Sequence, residues 1–148
     1  MIMELKIKSF EELTNRELYA LLKLRVDVFV VEQHCAYPDL DGMDNKALHV
    51  FFEEDGELLA YLRILPEGEH YGDAVMIGRV IAARRGVGLG ARILDAGIEA
   101  ARSRLGARRI RLEAQSYAQG FYEKAGFARC SDEFDEDGIP HVEMVLDL

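Results

Sequence analysis

Near the start of the chain Leu5 and Ile7 are set between charged residues, an alternation that predicts a strand. Thr14-Asn15-Arg16-Glu17 then reads as a capping box, in which the Thr14 hydroxyl and the Glu17 carboxylate satisfy reciprocal backbone donors at a helix start. Leu18, Leu21, Leu22, Val26 and Phe29 follow at helical spacing, so this helix is predicted to run to about Val30. A polar segment over 32–46 carries Asp39, Asp41 and Asp44. Two strand-like runs, 48–52 and 58–65, flank Asp55-Gly56, a hairpin signal because glycine accepts the positive φ of such turns. A third run, 75–82, is rich in β-branched residues. After a glycine-rich loop, Leu89, Ile93, Ile98, Ala101 and Leu105 mark an amphipathic helix. Ile110 and Leu112 alternate with Arg109, Arg111 and Glu113 as a further strand. Residues 117–125 predict a short helix with Gly126 as its C′ residue, and 127–130 and 141–146 predict the last strands. The predicted order is β-α-β-β-β-α-β-α-β-β. Helices interspersed with a strand meander imply an α/β fold with a mixed sheet.

Composition adds class and partners. A length of 148 residues predicts one domain over 1–148, and 49% apolar with 30% charged residues is ordinary for a globular chain. The two cysteines, Cys35 and Cys130, form no CxxC pair and are expected to be reduced thiols. No segment is long and apolar enough to predict secretion or membrane insertion, which makes cytoplasm the expected location. The net charge of −9 is unevenly spread. Between Arg79 and Arg111, nine arginines stand against only Asp95 and Glu99, while the rest of the chain holds nine basic and 25 acidic residues. The arginine-rich stretch suits phosphates; the acidic remainder would repel a nucleic-acid backbone and suits a cationic partner.

The sharpest chemical signal is Arg85-Gly86-Val87-Gly88-Leu89-Gly90, between a predicted strand and a predicted helix, with Arg84 beside it. Free amides at a helix N-terminus bind anionic phosphates, and glycines allow the backbone to come close. A Walker A loop fails, because Ala91-Arg92 stands where Lys-Ser or Lys-Thr is needed. Gly86-x-Gly88-x-x-Ala91 does match the dinucleotide fingerprint, and Glu113 lies near the end of the next strand. A Rossmann domain, however, usually begins with this unit and continues through several more βα units, whereas here one short predicted helix follows.

Together these features resemble the GNAT acyltransferase superfamily. Arg85, Gly88 and Gly90 match its strand-loop-helix motif, and residues 118–127, Ala-Gln-Gly-Phe-Tyr-Glu-Lys-Ala-Gly-Phe, resemble its second signature. Arg25-x-x-Val28-Phe29-Val30-Val31-Glu32-Gln33, then Tyr37, Asp41, Asp44 and His49, with Asp137-Gly138-Ile139-Pro140-His141 near the end, resemble the ElaA-like subgroup. The resemblance implies a central, mostly antiparallel mixed sheet flanked by helices, and an N-acetyltransferase with acetyl-CoA as co-substrate. It implies pantetheine along the strand ending Val80-Ile81-Ala82, and pyrophosphate on the amides from Gly86 through Val87, Gly88, Leu89 and Gly90 to Ala91. It implies Tyr122 as general acid. Without the motif, Tyr122 reads as an aromatic packed beside Phe121.

Many members carry a carboxylate base on the fourth strand, and Val75 to Ala82 contains none. Glu113 acting through water, a residue of the 32–49 segment, and proton loss to bulk water stay open. Glu32, Gln33, Asp41, Asp44, His49 and His141 are the candidate acceptor-binding residues. No histidine pair has the spacing of a helical zinc site, and Asp39-x-Asp41 fails as a calcium loop at Met43, so no metal is expected. The expected acceptor is a small-molecule or peptide amine, cationic before it reacts; no nucleic acid or membrane partner is expected, and a homodimer is compatible with the chain. The alternatives are a longer acyl-CoA donor, or an acyl-CoA-binding sensor or interaction module without turnover.

Overall fold

The structure, a computed structural model, describes residues 3–84 and 86–148. Strand β1 (Glu4–Ser9) leads into helix α1 (Asn15–Arg25), which continues as a π-helical stretch, Val26–Glu32. Strands β2 (Leu48–Glu54), β3 (Glu57–Leu65) and β4 (Val75–Ala82) form a meander. Helix α2 (Leu89–Leu105), strand β5 (Arg109–Gln115) and helix α3 (Gln119–Lys124) follow, then β6 (Ala128–Arg129), β7 (Phe134–Glu136) and β8 (Ile139–Asp147). The eight strands form one sheet in the order β1-β2-β3-β4-β5-β8-β6, with β7 also paired to β8. Among the described residues only β4 and β5 run parallel.

Local chemistry explains the element ends. The capping box forms as predicted: Thr14 Oγ1 accepts from the Glu17 amide at 3.1 Å, and Glu17 Oε1 accepts from the Thr14 amide at 2.9 Å. The β2–β3 turn places Asp55 at φ 52° and Gly56 at φ 78°, the pair of positive values a two-residue hairpin needs. Beyond Arg25 the helix widens and reaches Glu32: the Gln33 amide reaches back five residues to the Val28 carbonyl at 3.2 Å. Periodicity alone does not separate such a wide turn from an α-helix, and π-turns recur at functional sites. Strand β7 is an addition to the predicted order. It exists because Asp137 (φ 51°) and Gly138 (φ 82°) repeat the Asp-Gly turn and fold Phe134 onto His141.

Strand alternation sends side chains to two helical layers. Val50 and Phe52, with Leu62 and Ile64, join Ile93, Leu94, Ala100 and Ala101 of α2 in the larger core. A Cβ on Gly97 would lie 2.5 Å from Leu62 Cδ2, so glycine there lets α2 settle directly onto β3. Phe51 and Tyr61, from the intervening positions, pack under Leu21 of α1. Each fully buried side chain of this kind contributes about 1.5–3 kcal/mol.

Two departures from regular pairing shape the site. Strands β4 and β5 pair only at Val75–Ile110 and Met76–Arg111, and beyond that they separate. In β4, pairing jumps from Gly78–Arg63 to Ile81–Tyr61, so Arg79 and Val80 together oppose Leu62 as a bulge. Arg79 adopts φ 55°, in the left-handed region.

Candidate active site

The splay of β4 and β5 opens a cleft of about 830 Å³. Residues Met76 to Ala83 form one wall, and Leu112, Glu113 and Gln115 of β5 face them. The π-helical stretch adds Phe29 and Glu32, with Gln33 just past its end; α3 adds Phe121 and Tyr122, and the β7–β8 hairpin adds Glu136 and His141. Gln115 Nε2 donates to Gln33 Oε1 at 3.1 Å, tying β5 to the segment that follows the π-stretch.

At one end of the cleft the chain turns into α2. Gly86 (φ 79°) and Gly88 (φ 77°) both need the left-handed region, and Gly88 is the α2 N-cap with no side-chain cap. Among the described residues no side chain caps the first-turn amides, which leaves the kind of free donors that suit an anion. A Cβ on Gly86 or Gly88 would meet nothing within 4 Å, while one on Gly90 would lie 3.3 Å from Phe121 Cε1. That contact brings the α2 N-terminus against α3. Of the residues expected to hold the donor, Val80, Ile81, Ala82 and Gly90 line the cleft. Arg84, Gly86, Val87 and Gly88 continue along the loop beyond it, with Ala91 in the first turn, while Leu89 buries its side chain in the core. Arg85 lies outside the described residues.

Four of the nine arginines in the arginine-rich stretch have close acidic partners. Arg79 pairs with Asp39 and Asp41, Arg102 with Glu99, and Arg109 and Arg111 with Asp73. Arg84 remains at the loop, exposed, with Glu57 at 3.9 Å.

Tyr122 packs between Phe121 and Phe127, at ring separations of 5.0 and 6.0 Å. Burial raises its phenol above the ordinary value of 10, so it stays protonated at neutral pH. Among the described residues its hydroxyl has no hydrogen-bond partner, and the side chain lines the cleft.

Two neighbouring carboxyls, those of Glu113 and Glu136, line the same cleft. Glu113 is 3.5 Å from both the Tyr71 hydroxyl and His70 Nε2, and Glu136 stands beside it. Burial, and then the Glu113 charge, raise the Glu136 carboxyl. His141 donates from Nδ1 to the Ile139 carbonyl at 2.7 Å, which leaves Nε2 facing Glu136 at 3.6 Å. Glu136 escaped the sequence reading, although it directly precedes the Asp137-Gly138 turn signal.

Glu32, Gln33, Asp41 and His141 line the cleft as expected for the acceptor side; Asp44 and His49 do not. His49 is fully buried: its Nε2 donates to the Asp44 carbonyl at 2.9 Å and its Nδ1 accepts from the Tyr61 hydroxyl at 2.7 Å. Burial lowers its pKa, keeping it neutral. The acids of the 39–44 segment are not free to recruit a cation either. Arg25 binds Asp39 and Asp44, Arg63 binds Asp41 and Asp44, and Arg79 binds Asp39 and Asp41. Three arginines thus neutralise the three aspartates, because charges this far from water persist only when paired. Alternation explains the arginine on β3: Arg63 shares the α1-facing side with Tyr61.

Among the described residues no group of three or more His, Cys, Asp or Glu side chains is arranged to hold a metal ion, and no helix is long and apolar enough to cross a membrane.

Comparison with known proteins agrees with this geometry. A family profile described as acetyltransferase (GNAT) domain matches residues 18–148. A UPF0039 protein of Schizosaccharomyces pombe is 41% identical over 150 aligned positions, covering 99% of this chain and 98% of its own. Protein ElaA of Escherichia coli is 39% identical, covering 93% of this chain and 92% of its own. Among solved structures, an acyl-CoA N-acyltransferase from Pseudomonas aeruginosa matches with a TM-score of 0.90 at 40% identity, over 97% of this chain and 99% of that one. A CoA-dependent acyl-homoserine lactone synthase, BjaI, shares the fold at a TM-score of 0.76 and 18% identity. The profile spans nearly the whole chain and the relatives align end to end: the chain belongs to the GNAT family, in its ElaA-like branch, and is an acyltransferase.

Proposed function

We propose that the protein transfers the acetyl group of acetyl-CoA to a primary amine by direct attack within a ternary complex. The observation that carries this reading is the Tyr122 side chain, which lines the same cleft as Gly90 of the α2 first turn and the carboxyls of Glu113 and Glu136, with a hydroxyl that has no hydrogen-bond partner among the described residues and that burial holds in its protonated form. The thioester would lie along β4, with its pyrophosphate on the α2 amides. The acceptor would enter from the side of Glu113, Glu136 and His141. The ammonium first gives one proton to the Glu113–Glu136 pair, which passes it to water; the neutral nitrogen then bonds to the thioester carbonyl carbon and gives its second proton to the same pair. The carbon–sulfur bond then breaks, and Tyr122 gives its proton to the departing thiolate. A carboxyl raised by burial is a stronger base once ionised, which suits Glu136 to this exchange. Entry of an amine in its cationic form would be favoured beside two carboxyls that no Lys or Arg neutralises among the described residues.

Thermal melting with acetyl-CoA and with NAD tests the donor. Acetyl-CoA at 100 times its Kd is expected to add about 2.7 kcal/mol of stability and NAD nothing. A shift with NAD alone overturns the reading in favour of a dinucleotide site. Free-thiol release, assayed over a panel of primary amines and diamines with acetyl-CoA and longer acyl-CoAs, tests turnover. Binding without release on every pair would make the protein an acyl-CoA sensor.

Gly88→Val is expected to weaken CoA binding at least tenfold while the protein stays folded. A Cβ at this position meets nothing within 4 Å in the fold, so the added bulk is directed at the proposed anion site, and the left-handed φ becomes strained. Calorimetric titration with CoA reads the effect; an unchanged Kd in a folded variant places the phosphates elsewhere.

A further inference from the structure

Arg79 is a non-glycine residue at φ 55°, in the middle of the one strand that the proposed function makes the donor's edge. Such a conformation persists only where the surroundings overdetermine it. The bulge it creates leaves Val80 out of register with β3, and Val80 and Ile81 both face the cleft.

What holds Arg79 is visible. Its Nε donates to Asp39 Oδ1 at 2.9 Å and its Nη2 to the Asp39 carbonyl at 3.2 Å, while the guanidinium lies 5.5 Å from the centre of the Tyr37 ring. Asp39 is itself immobilised. Arg25, with no exposed surface, donates to its Oδ2 at 2.9 Å and to its carbonyl at 2.8 Å, and the Tyr37 hydroxyl donates to Oδ1 at 2.6 Å. Arg63, paired across the strands with Gly78 at the foot of the bulge, grips both oxygens of Asp41 at 2.9 and 2.8 Å. The network therefore ties the end of α1 and the 37–44 segment to the bulge of β4. Stability by itself does not account for it, since replacing buried ion pairs with apolar side chains is often neutral or stabilising.

We infer that Arg79 is a positioning residue: clamped by Asp39, it holds the β4 bulge in the shape that presents Val80 and Ile81 to the thioester. The inference rests on the proposed donor position along β4. A residue that resists the left-handed region needs the clamp, whereas glycine adopts it unaided.

The test compares Arg79→Ala with Arg79→Gly. Both lose the guanidinium and every ion pair, so a role limited to those ion pairs moves both alike. Positioning predicts that kcat/KM for acetyl-CoA falls about 10²-fold in Arg79→Ala, the scale of a 1 Å misplacement, with KM for the amine changed less than threefold. Arg79→Gly is expected to recover about tenfold of that loss, reflecting the cost of the left-handed region to a residue with a Cβ. Backbone NMR shifts of residues 78–82 provide a readout that needs no substrate: parent-like in Arg79→Gly and displaced in Arg79→Ala. If Arg79→Ala does not fold, Arg79→Gly against the parent carries both measurements, with parent-like shifts and an activity loss of about tenfold expected. Equal activities and equal shifts in the two variants, or parent-like kcat/KM in a folded Arg79→Ala, overturn the inference. A parent protein that neither binds nor turns over acyl-CoA overturns the proposed function instead, and the NMR comparison still decides what holds the bulge.

Discussion

Tyr122→Phe is expected to lower kcat by about 10²–10⁴-fold, the usual value of a positioned general acid, while the Kd for acetyl-CoA changes less than twofold. The substitution keeps the ring, so the contacts with Phe121 and Phe127 stay and the fold loses little. It removes one oxygen that has no hydrogen-bond partner among the described residues. A buried hydroxyl retained only for packing would ordinarily be paired, because leaving it unpaired costs free energy. One that opens onto a cleft and keeps its proton can instead serve a leaving group. Burial lifts its pKa above 10, so the acid form persists across the neutral and mildly alkaline range. Activity on the alkaline side is therefore expected to be limited by something other than ionisation of Tyr122, and to rise first as the amine acceptor loses its proton. Steady-state kinetics on a good acceptor, with calorimetric binding of acetyl-CoA, separate the two parameters. Equal kcat in the two proteins would make Tyr122 a packing residue.

The donor side of the site was legible because it is local. Gly86, Gly88 and Gly90 are spaced along one turn, and their requirement for left-handed or close-packed backbone is a property of the residues themselves. The same holds for the Thr14–Glu17 capping box and the Asp55-Gly56 hairpin, which the structure reproduces at the predicted residues. The acceptor side was legible only in part, because it is assembled from distant segments. Asp41 and Asp44 lie in a polar segment and were expected on the acceptor side of the cleft. Their partners, Arg25, Arg63 and Arg79, arrive from a helix end, a core strand and a bulge, at separations that no local pattern encodes. Arg63 in particular lies in a strand whose neighbours are all buried, and a charge there implies an opposite charge brought to it. Glu136 was hidden for a different reason: its strand is three residues long and becomes visible only once the Asp137-Gly138 turn is read as a hairpin. The π-widening after Arg25 was illegible because its apolar spacing fits an α-helix equally well.

Arg25→Met is expected to destabilise the fold by about 3 kcal/mol, the low end of the cost of breaking a buried ion pair by removing one partner. Methionine approximates the length of the stem, so the loss is mainly electrostatic. Arg25 is completely buried and serves two acids, Asp39 at 2.9 Å and Asp44 at 2.6 Å, whose side chains are 1% and 13% exposed. Asp39 keeps Arg79 and the Tyr37 hydroxyl in the variant, and Asp44 keeps Arg63 at 3.2 Å, which is why the low end applies. For a chain of this size, 3 kcal/mol corresponds to a fall in Tm of about 6–12 °C. The pH dependence gives an independent check. Burial would raise the carboxyls, but Arg25 outweighs it at Asp44, and Arg63 with the Met43 amide outweighs it at Asp41, which is held at about 2. A carboxyl whose folded pKa is depressed contributes stability above its unfolded value of 3.8, and that contribution is lost as pH falls toward 2. Removing Arg25 takes away part of this contribution at Asp44. The stability gap between parent and variant is therefore expected to be widest near neutral pH and to narrow below about pH 4. Denaturant melts at pH 7 and at pH 3 measure both gaps. A gap as large at pH 3 as at pH 7 would assign the loss to packing of the side chain and not to its charge.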